Sequence, residues 1–144
     1  SAARSGQCVK PVAGDCPCDR LDARGRRLAH AACCGRYLDH WDQAPAPDAE
    51  SLMRSRYCAF VLERADYLLA TWHVTQRPPS IEFEPGARWL ALEVRAARET
   101  GPDAAEVEFV ARHRVAGRAV RLHERSRFVR EHGRWFYVDG VLSP

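Results

Sequence analysis

The sequence contains no run of about eighteen apolar residues, so no segment is expected to span a membrane. Its first ten residues, SAARSGQCVK, have no apolar stretch. No intact leader peptide is therefore expected within them, and a cytoplasmic location is the expectation. Lysine is almost missing: of 22 basic residues only Lys10 is Lys and the rest are Arg. Arginine grips phosphate and carboxylate in a bidentate fork. Here, however, acids alternate with the arginines, and the net charge of +3 is too small to demand a polyanionic partner. There is no internal repeat and no low-complexity tract. What is present is ordinary for a soluble globular chain: 144 residues, 46% hydrophobic and 28% charged. That length supports one main core with at most a small appendage.

The cysteines are less ordinary. There are six, and Cys16, Cys18, Cys33 and Cys34 crowd into the stretch GDCPCDRLDARGRRLAHAACCGRY. A chain of this length can build its own core, so such clustering favours a metal cage over a distributed disulfide framework. Thiolates are soft ligands, and four of them suit the tetrahedral preference of zinc. The loop DRLDARGRRLAHAA has too little apolar surface to order itself, and a metal joining its ends would supply that order. A disulfide such as Cys16–Cys34, or unliganded thiols, are the alternatives. His30 is a substitute ligand on this reading, against the simpler one of a surface histidine. Cys58 falls within a helical pattern and reads as a small buried core residue. Its alternative is a nucleophile paired with His73 or His113. Residues 1–13 read as a loose tail carrying Cys8 as a free thiol.

Beyond the cysteines, QAPAPDAE supplies prolines and a helix start, with Asp48 as N-cap. AESLMRSRYCAFVLERA places Met53, Tyr57, Phe60 and Val61 on one helical face, with Leu52 beside them. DYLLATWH reads as a second short helix capped by Asp66, which Pro78 and Pro79 prevent from continuing. The period then changes to two. Leu90, Leu92, Val94 and Ala96 alternate, as do Val107, Phe109, Ala111, His113 and Val115. Val120, Leu122, Glu124, Ser126 and Phe128 follow, then Trp135, Tyr137 and Asp139. Turns at TGPD, AGR and HG separate these runs, the signature of an antiparallel meander. Helices first and a curved sheet after give an α+β fold with the helices on one face.

CPC…CCGRY, then APAPDAESLMRSRYCAFVLERADYLLATWH, then ERSRFVREHGRWFYVDG resemble the YchJ-type family, sharpest at LMRSRYCAFV. That family joins a SEC-C zinc motif, similar to the C-terminal tail of the SecA translocation ATPase, to an NTF2-like domain, and it has no assigned reaction. The resemblance implies zinc on Cys16, Cys18, Cys33 and Cys34 and a bacterial source. It also implies an NTF2-like (cystatin-like) cone, in which a bent sheet wraps a helix around a cavity. The expected organisation is a SEC-C-like segment at 14–40 and an NTF2-like domain with its own core at 45–144. Two departures stand out. Asp19-Arg20 follows the second cysteine where the motif has Gly-Ser, and fourteen residues separate the pairs where the motif has about eight. Many members also carry a second such motif at the C-terminus, which is not in this sequence.

If His132-Gly133 is a two-residue turn, Arg130 faces Trp135, Phe128 faces Tyr137 and Ser126 faces Asp139. Strand alternation and the helix pattern then give the pocket candidates Tyr57, Trp72, Phe109, His113, Glu124, Ser126, Tyr137 and Asp139. Polar groups on such a face either satisfy one another or serve a ligand. The leading reading is a metal-stabilised binding or accessory module rather than an enzyme. Its protein partner would sit on the knuckle, near Tyr37, Leu38 and Trp41, and a small-molecule ligand would sit in the cone. The alternative is a hydrolase- or isomerase-type enzyme using Glu124 or Asp139 as base. Nucleic-acid binding through Arg20, Arg24, Arg26 and Arg27 ranks last, because that loop carries Asp19 and Asp22 and no aromatic.

Overall fold

The computed structural model describes residues 14–143, so Cys8 and the expected loose tail lie outside the described residues. A 3-10 turn at His30–Ala32 precedes α1 (Gly35–Leu38), α2 (Ala49–Val61) and α3 (Ala65–Ala70). Four strands follow: β1 (Arg88–Gly101), β2 (Ala104–Val115), β3 (Arg118–Glu131) and β4 (Arg134–Ser143). They pair in sequence order as one antiparallel sheet, and the helices pack on its inner face. The fold is α+β. Among the described residues no helix is long and apolar enough to cross a membrane.

Local chemistry sets the helix starts. Asp48 is extended, and its carboxylate accepts the Ser51 N–H at 2.7 Å, as an N-cap should. Asp66 does not cap α3. Arg64 holds that position, and Asp66 sits in the first turn, bound to Arg64 at 3.1 Å. The hairpins at Ala116-Gly117 and His132-Gly133 have both residues at positive φ, between 52° and 77°. That backbone twist matches the right-handed twist of the flanking strands.

Bulges decide which residues face inward. In β1 the register shifts at Leu90 and again at Arg95, so Trp89, Leu92, Val94 and Ala97 share the inner face. Leu90 and Ala96, expected there by alternation, do not. Leu90 is exposed. In β4, Phe128 pairs with Tyr137 but Arg127 pairs with Asp139, which makes Val138 the extra residue. One added residue flips everything beyond it to the other face.

The cysteine segment shares its buried core with the helices and the sheet. Cys16, Cys18, Cys33 and Cys34 belong to the same buried cluster as Leu52, Met53, Tyr57, Leu68 and Phe128. Polar ties reinforce this shared core. Arg54 donates to the Cys18 carbonyl at 2.8 Å and Arg20 to the Ser51 hydroxyl at 2.9 Å. Asp19 accepts the Leu92 N–H at 3.2 Å. The loop expected to lack internal order is a small hairpin. Asp15 bridges Ala29 and Leu21 bridges Arg27, while the Asp22 carboxylate accepts the Arg24 and Arg26 N–H groups.

Candidate metal centre and cone cavity

Cys16 and Cys18 lie on the first arm of this hairpin, and Cys33 and Cys34 follow the 3-10 turn after its second arm. All four thiols are buried, and their sulfurs lie within 4.8 Å of one another. Cys18 and Cys33 are 3.6 Å apart, Cys33 and Cys34 4.0 Å. Metal–thiolate bonds of about 2.3 Å in a tetrahedron place sulfurs about 3.8 Å apart, so the four residues fit a tetrahedral metal ion. Asp19, where the SEC-C pattern has glycine, has φ 62°. Glycine is at home in that left-handed region, and aspartate is among the few residues that tolerate it. Its carboxylate also binds Arg27 at 2.9 Å.

Two further ligand-type residues adjoin the four. Cys58 of α2 is fully buried with its sulfur 3.5 Å from Cys16, and His30 Nδ1 is 3.3 Å from the same sulfur. His30 is therefore a buried residue, not the surface histidine of the simpler reading. Gly35 allows this packing, since a Cβ there would meet the His30 carbonyl at 2.8 Å. Hydrogen bonds from Cys18, Cys33, Cys34 and Cys58 hold the Cys16 thiol well below its ordinary range. Hydrogen bonding to Cys16 pushes Cys34 and Cys58 up. Cys18 is held below its ordinary range as well, while Cys33 is pushed up, so ionisation of two thiols is favoured and that of the other three opposed, a conflict that a cation among the sulfurs relieves.

On the other side of α2 lies a cavity of about 150 Å³. Met53, Arg56, Tyr57 and Phe60 line it from the helix; Trp89, Phe109, Leu122, Glu124, Ser126, Phe128 and Tyr137 line it from the sheet, with Trp72 alongside. Arg56 is buried. It donates to the Leu68 carbonyl at 2.8 Å and the Thr71 hydroxyl at 2.7 Å, and it lies over the rings of Tyr137 and Trp72. Burial lowers it to about 10, against the raising influence of Tyr137, Tyr67 and Glu124. Glu124 accepts the Ser126 hydroxyl at 2.5 Å and the Tyr137 hydroxyl at 3.4 Å. Burial, then the Glu124 charge, raise Tyr137 to about 12. Gly140 gives the carboxylate its room, as a Cβ there would fall 2.1 Å from it.

Of the pocket candidates, Tyr57, Trp72, Phe109, Glu124, Ser126 and Tyr137 surround this cavity. His113 does not. It stacks on Trp89 at 4.7 Å and lines a neighbouring hollow. Asp139 lies on the outer face, paired with Arg127 at 2.5 Å, because the Val138 bulge reversed its side. Arg56, Trp89 and Leu122 were not singled out for the pocket. Arg56 sits four residues before Phe60 on a helical face, a spacing that could have found it; the Trp89 position depends on the bulge at Leu90. Among the described residues Cys58 hydrogen-bonds neither proposed histidine partner: His73 bonds Glu131 and Thr75, and His113 stacks on Trp89. Of the apolar residues expected at the knuckle surface, Tyr37 and Leu38 are buried and Trp41 is exposed, as is Leu21 on the cysteine hairpin.

Residues 48–140 match the model of the family described as YchJ, middle NTF2-like domain. The chain belongs to the YchJ family. It is 70% identical over 131 residues to a UPF0225 protein of Polaromonas sp. (strain JS666), covering 90% of this chain and 94% of that one. A UPF0225 protein of Bordetella pertussis is 54% identical over 130 residues, covering 88% and 92%. Among solved structures, a SEC-C motif containing protein from Rhodopseudomonas palustris superposes with a TM-score of 0.74 at 30% identity, covering 91% of this chain and all of that one. Another from Psychrobacter arcticus gives 0.73 at 30% identity, covering 90% and 83%. YchJ membership and these neighbours agree with the NTF2-like architecture and with a cysteine cluster able to hold a metal.

Proposed function

We propose that this chain is a zinc-stabilised binding module: the metal fixes α2 against the sheet, and the cavity beneath α2 seats a small molecule. The observation that carries this reading is the position of α2 between the two sites. Cys58 touches the cysteine cluster, while Met53, Arg56, Tyr57 and Phe60 of the same helix line the cavity. Zinc, held by Cys16, Cys18, Cys33 and Cys34, would supply structural cross-linking without redox chemistry. His30 and Cys58 support Cys16 from outside the tetrahedron, as neighbours that hydrogen-bond a ligand commonly do. A cluster of reduced thiols suits a cytoplasmic setting.

The cavity, rather than the knuckle surface, is the binding seat, because Tyr37 and Leu38 are occupied in the core. The enzymatic alternative loses one of its two carboxylates with Asp139 on the outer face, which leaves Glu124 alone in the cone. Elemental analysis of reduced protein prepared without chelator tests the metal half of the proposal. About one zinc per chain is expected. No metal uptake, or disulfides among the four cysteines of reduced, metal-treated protein, would overturn it.

A further inference from the structure

We propose that the cavity takes a neutral, flat ring molecule, of phenol to indole size, that carries one O–H or N–H donor for Glu124. This rests on the reading of the cavity as a binding seat and specifies what sits there. Size comes first: a cavity of about 150 Å³ accommodates a benzene-sized ring. Shape and polarity follow from the walls, where Phe60, Trp72, Trp89, Phe109 and Tyr137 present aromatic surface. Rings of this kind stack or meet edge to face with another ring.

Charge excludes ionic ligands. Arg56 and Glu124 both line the cavity, and among the described residues neither forms an ion pair within 4.0 Å. Their opposite charges offset each other across one apolar lining. A charged guest would leave an uncompensated charge out of water, which is strongly unfavourable.

Two polar atoms specify the donor and acceptor pattern. The hydrogen bonds to Glu124 from Ser126 and Tyr137 both reach Oε2; among the described residues Oε1 has no partner. Trp72 Nε1 is buried with no hydrogen-bond partner among the described residues. Tyr137 sits between them, with its ring 5.2 Å edge-on to Trp72 and its hydroxyl on Glu124. The buried Trp72 donor left unmatched is unfavourable, the half-buried Glu124 carboxylate keeps one oxygen open to a guest, and a hydroxyl on an aromatic ring can answer either kind. A wider hollow of about 400 Å³ adjoins the cavity, sharing Phe60 and Trp89, and offers an approach.

The test uses the reduced, zinc-loaded full chain with four probes: toluene, phenol, benzoate and benzylamine. Binding is followed by NMR shifts of the Trp72 indole N–H and the Tyr57 and Phe109 rings. Phenol should bind about tenfold more tightly than toluene, and both charged probes more weakly than phenol. Glu124→Gln should reduce the phenol advantage to about threefold or less while leaving toluene binding unchanged. The comparison of probes on the unaltered chain stands even if that variant folds poorly. Equal binding of phenol and toluene, or tightest binding by a charged probe, would overturn this ligand class while leaving the seat intact. If no probe shifts the cavity resonances, the seat itself is wrong.

Discussion

The cysteine segment and the inner face of the sheet hold the candidate chemistry in opposite ways. In the segment, ligands close in sequence sit in a hairpin of few large apolar residues, brought together by side chains on α2, by Asp19 and by Asp22. On the sheet, residues from all four strands and a helix meet across long sequence separations, and their facing depends on where a strand gains one residue. The first site is written in residue type and spacing. The second is written in backbone geometry, which residue type encodes only weakly. The regions differ in energetics as well: a metal cage concentrates its stabilisation in four atoms, whereas a cone wall spreads it over many contacts.

Removing a cage ligand should therefore produce the largest effect. Cys33→Ser is expected to lower unfolding free energy by about 4 kcal/mol or more, the range in which loss of a bound metal falls. Urea denaturation with and without chelator checks this: chelator should destabilise the parent and leave the variant unaffected. Because Cys33 shares a core with α2, the loss should reach the sheet as well as residues 14–40. A variant that loosens only those residues would show instead that the 45–144 domain holds its core without them.

Arg56 is the buried cation on the cavity side. Arg56→Ala removes two charge-assisted hydrogen bonds between α2 and the α3 region, leaves the Leu68 carbonyl only a long 3.5 Å bond from the Thr71 hydroxyl, and should cost about 2–3 kcal/mol in the same assay. A loss matching that of Cys33→Ser would erase the contrast between a concentrated and a distributed site. Cys58→Ala sharpens it from the other direction. Deleting one fully buried sulfur should cost about 1–2 kcal/mol, with zinc content unchanged. Loss of zinc in that variant would make Cys58 a ligand.

The smallest effect is expected at Asp139. Its pair with Arg127 is solvent-exposed, so Asp139→Asn should change stability by less than about 1 kcal/mol at neutral pH. The Arg127 guanidinium holds the Asp139 carboxyl below its ordinary range. The pair's contribution is thus present above the unfolded carboxyl's pKa and is lost as pH falls through the folded one. The difference between parent and variant should vanish in acid.

The order of elements was legible in the sequence because Asp48, the two proline-rich breaks and the glycine turns are local signals. Phe109, Glu124, Ser126 and Tyr137 line the cavity because alternation holds between bulges, and Tyr57 and Trp72 join them from the helical region. Asp139, Leu90 and Ala96 were misplaced because a bulge is a backbone event with no distinctive residue at Val138, Leu90 or Arg95. The closeness of Cys58 to Cys16 was illegible for another reason. It depends on how α2 docks against the hairpin, a contact spanning 42 residues.

Zinc-edge X-ray absorption on the reduced, metal-loaded chain tests the central claim most directly. The account predicts four sulfur neighbours at about 2.3 Å, unchanged in Cys58→Ala and altered in Cys33→Ser. A nitrogen or oxygen neighbour in the parent protein, or a spectrum unaffected by Cys33→Ser, would contradict it.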